Sequence, residues 1–181
     1  KRNNVFYMYY RGSSKACYKD SIGLAISNDG INFKKNENNP ILGTNDFSGI
    51  QKYPSVMGVV NCTVGYDGST IILFEANESL FENRSQIFGA QSLDGISFKA
   101  LNNGLPLLSY RNIKSWPVKG VCNPRLLLIG DNYYMLGFNG SFSGEHSLAL
   151  AFSKDLINWE EHKSNPILVP TGWPKSDPFS Q

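Results

Sequence analysis

Ile22-Gly23-Leu24-Ala25-Ile26-Ser27-Asn28-Asp29-Gly30-Ile31-Asn32-Phe33 is answered further along the chain by Ile87-Phe88-Gly89-Ala90-Gln91-Ser92-Leu93-Asp94-Gly95-Ile96-Ser97-Phe98. A third copy runs Ser147-Leu148-Ala149-Leu150-Ala151-Phe152-Ser153-Lys154-Asp155-Leu156-Ile157-Asn158-Trp159. The shared serines step by 65 and 61 residues (27 to 92, then 92 to 153). A proline and two aliphatics follow each copy: Pro40-Ile41-Leu42, Pro106-Leu107-Leu108 and Pro166-Ile167-Leu168. These step by 66 and 60 (40 to 106, then 106 to 166). Two separate markers on nearly one period establish an internal repeat, the feature that governs the rest of the reading.

Each copy is preceded by an aromatic-aliphatic strand: Val5 to Tyr10, Thr70 to Phe74 and Tyr133 to Leu136. Before two of these comes another, Pro54 to Val60 and Pro124 to Ile129, across turns carrying Asp67-Gly68 and Gly130-Asp131-Asn132. Those are hairpin residues. Asp29-Gly30 and Asp94-Gly95 are further tight turns, with glycine supplying the positive φ. One repeat therefore reads as four short antiparallel strands, and no helical period interrupts them.

Such a unit of about 60 residues cannot bury both of its faces alone, but it can when stacked around an axis as a β-propeller blade. The reading is an all-β chain forming one domain over 1–181, with repeats at roughly 5–52, 53–116 and 117–175. The recurring Phe33, Phe98 and Trp159 are expected to pack between blades. Three blades fall short of the four that a closed propeller needs. The chain starts without the strand that should precede Val5 and ends on what resembles the opening of another inner strand, Ser176-Asp177-Pro178-Phe179. The expectation is a partial chain of a larger propeller.

Composition excludes several functions. Hydrophobic residues are 41% and charged residues 18%, an ordinary globular balance. The net charge of +2, with no basic run longer than Lys34-Lys35, argues against nucleic-acid binding. No apolar stretch is long enough to span a bilayer. The N-terminus has neither an initiating Met nor a leader-like run, so the compartment is left open. Cys17, Cys62 and Cys122 form neither a disulfide framework nor a metal spacing, and no motif asks for a cofactor. Sequons at Asn61, Asn77, Asn83 and Asn139 carry little weight in so Asn-rich a chain.

The repeats resemble the five-bladed propeller glycosidases, the fold of glycoside hydrolase families 43, 32, 68 and 130. Gly120-Val121-Cys122-Asn123-Pro124-Arg125-Leu126, leading through Tyr133-Tyr134-Met135 to Ser153-Lys154-Asp155-Leu156-Ile157-Asn158-Trp159, carries the resemblance. It is similar to the family pattern of an acidic residue, Pro, a short inner strand, a turn, Tyr-Tyr, then Ser-x-Asp-Leu-x-x-Trp. Tyr10-Arg11-Gly12, followed by Ile22-Gly23-Leu24-Ala25 and Ser27-Asn28-Asp29-Gly30, resembles the mannoside phosphorylase branch, family 130. Ser-x-Asp-Gly turns also resemble the sialidase Asp-box, but they are one residue tighter and lack its later glycine.

The resemblance implies an active site in a funnel at the propeller axis, lined by residues that open the innermost strands. Tyr53 before Pro54, Asn123 before Pro124 and Asp177 before Pro178 are expected to be equivalent there. Glycoside hydrolysis usually takes two carboxyl groups. Phosphorolysis replaces one with inorganic phosphate held by cations, so one acid can suffice. Where family 130 has Glu-Asp-Pro-Arg, this chain has Cys122-Asn123-Pro124-Arg125, and an amide cannot serve as the acid.

Asp177 and Glu75 are the candidate catalytic carboxylates. Asp177 stands in the Asp-Pro context, and its alternative is a turn aspartate near a frayed end. Glu75 follows the apolar run Ile71-Ile72-Leu73-Phe74, where a charge is costly unless paired or facing a cavity; its alternative is a solvated strand end. Asn123, Arg125, Arg11, Tyr53 and Trp116 are candidate substrate contacts. The arginines suit a hydroxyl or phosphate, or else a structural ion pair between blades. Trp116, like Trp173, precedes a proline at an inner-strand approach and suits either stacking on a sugar or loop packing. His146 and His162 read as surface residues. The expected function is glycoside hydrolysis or phosphorolysis of oligosaccharides. The alternative is a catalytically silent propeller that binds glycans or proteins.

Overall fold

A computed structural model describes residues 4–14, 19–50, 57–77, 84–142 and 145–170. Among these described residues there are three antiparallel four-stranded sheets and, besides strands, only short 3-10 turns. The first sheet comprises β1 (Phe6–Ser14), β2 (Lys19–Ser27), β3 (Lys34–Lys35) and β4 (Leu42–Gly43), with β3 and β4 both pairing β2. The second is β5 (Met57–Val64), β6 (Thr70–Asn77), β7 (Ser85–Ser92) and β8 (Lys99–Ala100), in chain order. The third is β9 (Gly120–Ile129), β10 (Tyr133–Phe142), β11 (Glu145–Ser153) and β12 (Glu160–Glu161), also in chain order. The expected four-stranded repeat is present, and most strands run longer than the apolar patterns alone marked. Pro124 lies inside β9 rather than opening it, tolerated there because the ladder is bulged at that point.

Both repeat markers have a structural cause. In each copy the serine hydroxyl meets the aspartate two residues on: Ser27 with Asp29 and Ser92 with Asp94 at 2.7 Å, Ser153 with Asp155 at 3.0 Å. The same Asp oxygen accepts the two following backbone N–H groups, those of Ile31 and Asn32 in the first copy. Those donors hold all three carboxyls well below the usual range. Gly30 and Gly95 take φ of 77° and 78° here. The third copy puts Leu156 in the same slot at φ 66°, and its side chain is buried in the core. The proline-aliphatic pairs bring the chain back beside the third strand: Ile22 opposite Leu42, Ile87 opposite Leu108, Leu148 opposite Leu168.

The sheets stack face to face. Ile72, Phe74 and Ala76 of β6 point to the first sheet, in a core with Ile22, Leu42, Phe47, Phe88 and Ala90. Alternate residues Ile71 and Leu73 point to the third, packing with Val121, Leu126, Leu136, Phe138 and Ala149. A middle strand buried on both faces reads as a continuous apolar run, since successive side chains alternate sides. Phe74 and Phe88 are stacked at 5.9 Å, and burying each such ring is worth roughly 1.5–3 kcal/mol. Phe98 meets Tyr9 of the first sheet edge-on at 5.6 Å, and Trp159 packs on the core between the second and third sheets. Both occupy the seams between sheets, as expected of that repeating position.

Candidate functional site

The strand registers expose one level at which the three repeats diverge in chemistry. Arg11 pairs with Ile22, Glu75 with Ile87, and Asn139 with Leu148. The three partners are equivalent in the repeat, so a cation, an acid and an amide occupy one position of the second strand. Apolar or small residues flank each of them.

Glu75 sits on the face of β6 that carries Ile71 and Leu73, the face turned to β9. Its Oε2 accepts the backbone N–H of Asn123 at 2.5 Å, a short charge-assisted bond across the seam. The charge that looked costly in an apolar strand is thus paired with a fixed donor. Space for it comes from Gly58, because a Cβ there would fall on the Glu75 carboxyl group. Around Gly58 the ladder of β5 slips by a residue, between Met57 and Val60, opposite Glu75. Glycine in a strand commonly marks such a close approach or bulge.

Asn123 lies in a second bulge, where Gly137 pairs with Arg125 but Asn139 pairs with Cys122. Its φ is 51°, a left-handed conformation that Asn and Asp adopt more readily than other side chains. The bulge turns its N–H out of the β9–β10 ladder and toward Glu75. Three residues on, the Leu126 N–H is also captured from the second sheet, by Asn61 Oδ1 at 2.9 Å. Two side chains of one blade therefore hold the inner strand of the next. The neighbouring Cys122 is buried, and burial together with the Glu75 charge pushes its thiol up to about 12. His146 Nδ1 stands 3.7 Å from that sulfur. Ser85, on the face of β7 that also carries Ile87, is buried with no hydrogen-bond partner among the described residues.

The other sequence candidates fall elsewhere. Arg11 forms an ion pair at 3.0 Å with Asp20, which is only 5% exposed. That pair joins β1 to β2 within one sheet, whereas the sequence suggested a bridge between blades. Arg125 is exposed and donates from Nη1 to the Pro124 carbonyl at 2.8 Å. It faces away from the second sheet, at the level held by Asn61 one blade earlier. Trp116 stacks on Phe138 at 6.1 Å and lies against Gly140, so the covered ring face packs core and is closed to a sugar. Tyr53 and Asp177, with Trp173, lie outside the described residues. Gly58 to Val60 are the residues opposite Phe74 and Glu75, as Cys122 to Pro124 are opposite Phe138 and Asn139. Gly58 and Asn61 escaped the sequence reading as site residues, although an in-strand glycine was the available signal.

No family model matches the chain. Over 78 residues it is 37% identical to a 1,2-beta-oligomannan phosphorylase of Thermoanaerobacter sp. (strain X514), a match covering 42% of this chain and 25% of that protein. Over 119 residues it is 31% identical to the beta-1,2-mannobiose phosphorylase of the same organism, covering 58% and 38%. The chain thus spans well under half the length of the curated relatives it matches. Among solved structures, a family 117 glycoside hydrolase of Zobellia galactanivorans superposes with a TM-score of 0.68 at 12% identity, over 92% of this chain and 54% of that one. The chain has the β-propeller fold of these glycoside hydrolases. Its sequence relatives fall in the mannoside phosphorylase branch, the one that the pattern around Tyr10-Arg11-Gly12 resembles. The Glu75 carboxylate and the β9 bulge at Asn123 stand together at a seam between blades.

Proposed function

We propose that this propeller chain forms part of a carbohydrate-active enzyme that cleaves β-1,2-linked mannosides, with inorganic phosphate as the acceptor. The similarity to two β-1,2-mannoside phosphorylases suggests the substrate class. The observation that carries the chemistry is the Glu75 carboxylate fixed 2.5 Å from the Asn123 N–H, at the bulge where related enzymes carry their acid. In this reading Glu75 acts in its protonated form, giving the proton of its carboxylic acid to the leaving oxygen as the glycosidic C–O bond breaks. A phosphate oxygen bonds to the anomeric carbon, so one carboxyl group is sufficient. Asn123 and Arg125 contact substrate hydroxyls or phosphate, and Asp177 supplies a second carboxylate if water replaces phosphate.

The test is to incubate the full-length protein with β-1,2-mannobiose, with and without phosphate, and to measure mannose 1-phosphate and mannose. Phosphate-dependent mannose 1-phosphate, lost in Glu75→Gln, is expected. Free mannose alone would move the reading to hydrolysis. No turnover of manno-, xylo- or arabino-oligosaccharides would favour the silent glycan-binding propeller, the reading to which the amide at Asn123 points.

A further inference from the structure

The two ends of these sheets differ in chemistry, and the end opposite Glu75 carries a cleft that the reading above does not use. Tyr66, Asp67, Asn132, Tyr133, Tyr134 and Lys154 line an open cavity of about 430 Å³ between the β5–β6 and β9–β10 turns. Tyr133 lies six residue steps from Asn139, the counterpart of Glu75, which puts the cleft about 20 Å along the sheet from that level.

The cleft is built rather than incidental. The Tyr66 hydroxyl lies 3.0, 2.9 and 2.8 Å from the carbonyls of Ile129, Gly130 and Tyr133, and so ties its own turn to both ends of the next hairpin. Tyr134 forms the floor: it is buried, meets the Tyr66 ring edge-on at 5.1 Å, and lies 3.4 Å from the Tyr66 N–H through its hydroxyl. Tyr66 and Tyr133 nevertheless stay 39% and 43% exposed, an unusual placement for two large rings on one rim. Lys154 Nζ lies 4.9 Å from the Tyr133 ring centre. Asp67 is held by Ser69 and Gln91, so its carboxyl sits in a fixed orientation at the mouth.

Two part-exposed tyrosine rings, that of Tyr133 covered on one side by the Lys154 ammonium, stand beside a fixed carboxylate and an amide and match a pyranose: an apolar C–H face to stack and a rim of hydroxyls to bond. We infer that this cleft is a second glycan-binding site, holding one or two sugar units of an oligo- or polysaccharide away from the Glu75 end. It would keep a long glycan on the protein between cleavage events. Its occupant being a mannan rests on the function proposed above; its being a saccharide site does not.

Affinity electrophoresis in gels cast with β-1,2-mannan, β-1,4-mannan or xylan, backed by calorimetry with the matching oligosaccharides, tests it on the full-length protein. Retardation by at least one of these is expected. It should weaken about tenfold in Tyr133→Ala and survive in Tyr133→Phe, which keeps the ring. Turnover of β-1,2-mannobiose should stay within about twofold of the parent, since a disaccharide cannot span about 20 Å. Retardation unaffected by Tyr133→Ala, or none with any saccharide, overturns the inference. Tyr133-dependent retardation without mannoside turnover would leave this site standing and remove the proposed enzyme function.

Discussion

Glu75 on the second strand of one blade accepts the backbone N–H of Asn123 on the inner strand of the next, at 2.5 Å and 48 residues apart in the chain. The bond couples the packing of two blades to the placement of the candidate catalytic carboxylate. Removing the acceptor should therefore cost both stability and activity. Glu75→Ala leaves a donor unpaired at the seam and is expected to lower unfolding free energy by about 1–3 kcal/mol. Glu75→Gln keeps an acceptor and should cost less than half of that, yet abolish mannoside turnover. Urea melts and initial rates on the two variants separate the roles. Equal stability losses would show that the charge, not the acceptor, holds the seam.

Gly58 and Glu75 occupy space that only one Cβ can share. Gly58→Ala should displace the Glu75 side chain and reproduce much of the damage of Glu75→Ala. Made together, the two changes should be less harmful than their sum, with a coupling of about 1–2 kcal/mol in a double-mutant cycle. Additive losses would place the carboxyl group elsewhere.

At φ 51° Asn123 samples backbone that branched side chains resist. Asn123→Asp and Asn123→Gly should fold normally, whereas Asn123→Val should lose about 1–3 kcal/mol. Asn123→Asp also restores the acid of the family pattern, and a faster turnover of β-1,2-mannobiose is the expected result. A rate at or below that of the parent would leave proton transfer with Glu75 alone.

Acid should weaken this fold through its repeat turns. The Asp29, Asp94 and Asp155 carboxyls are held low by backbone N–H bonds, foremost those of Asn32, Ser97 and Asn158. In the unfolded chain they revert to about 3.9, so over that window the unfolded state binds more protons. The turns contribute their full stability above the unfolded value and lose it as pH falls toward the folded one. The urea midpoint should drop between about pH 5 and pH 3, and changing all three to Asn should flatten the drop. An unchanged pH slope in the triple variant would show that other carboxyls dominate.

Much of the fold was legible because its determinants are local. The Ser27-Asn28-Asp29-Gly30 turn closes on its own backbone, and the bond partners lie within three residues of Asp29. Each such turn leaves the same trace in the sequence, as do the apolar runs of strands such as Ile71 to Phe74. The bulge at Pro124 was not legible: Pro124 is inside β9, and bulges shift register without altering composition.

The sequence by itself determined the repeat, the four-stranded unit and the Asp-anchored turns, because each is written in short local patterns that recur along the chain. Tertiary structure alone decided what Glu75 touches, why residue 58 is glycine, that Asn61 holds Leu126, and that Arg11 neutralises Asp20. These contacts join strands through stacking and register, and register is set by where two bulges fall. Side-chain alternation turns each one-residue slip into a change of face, so the site's geometry exists only once the blades are packed.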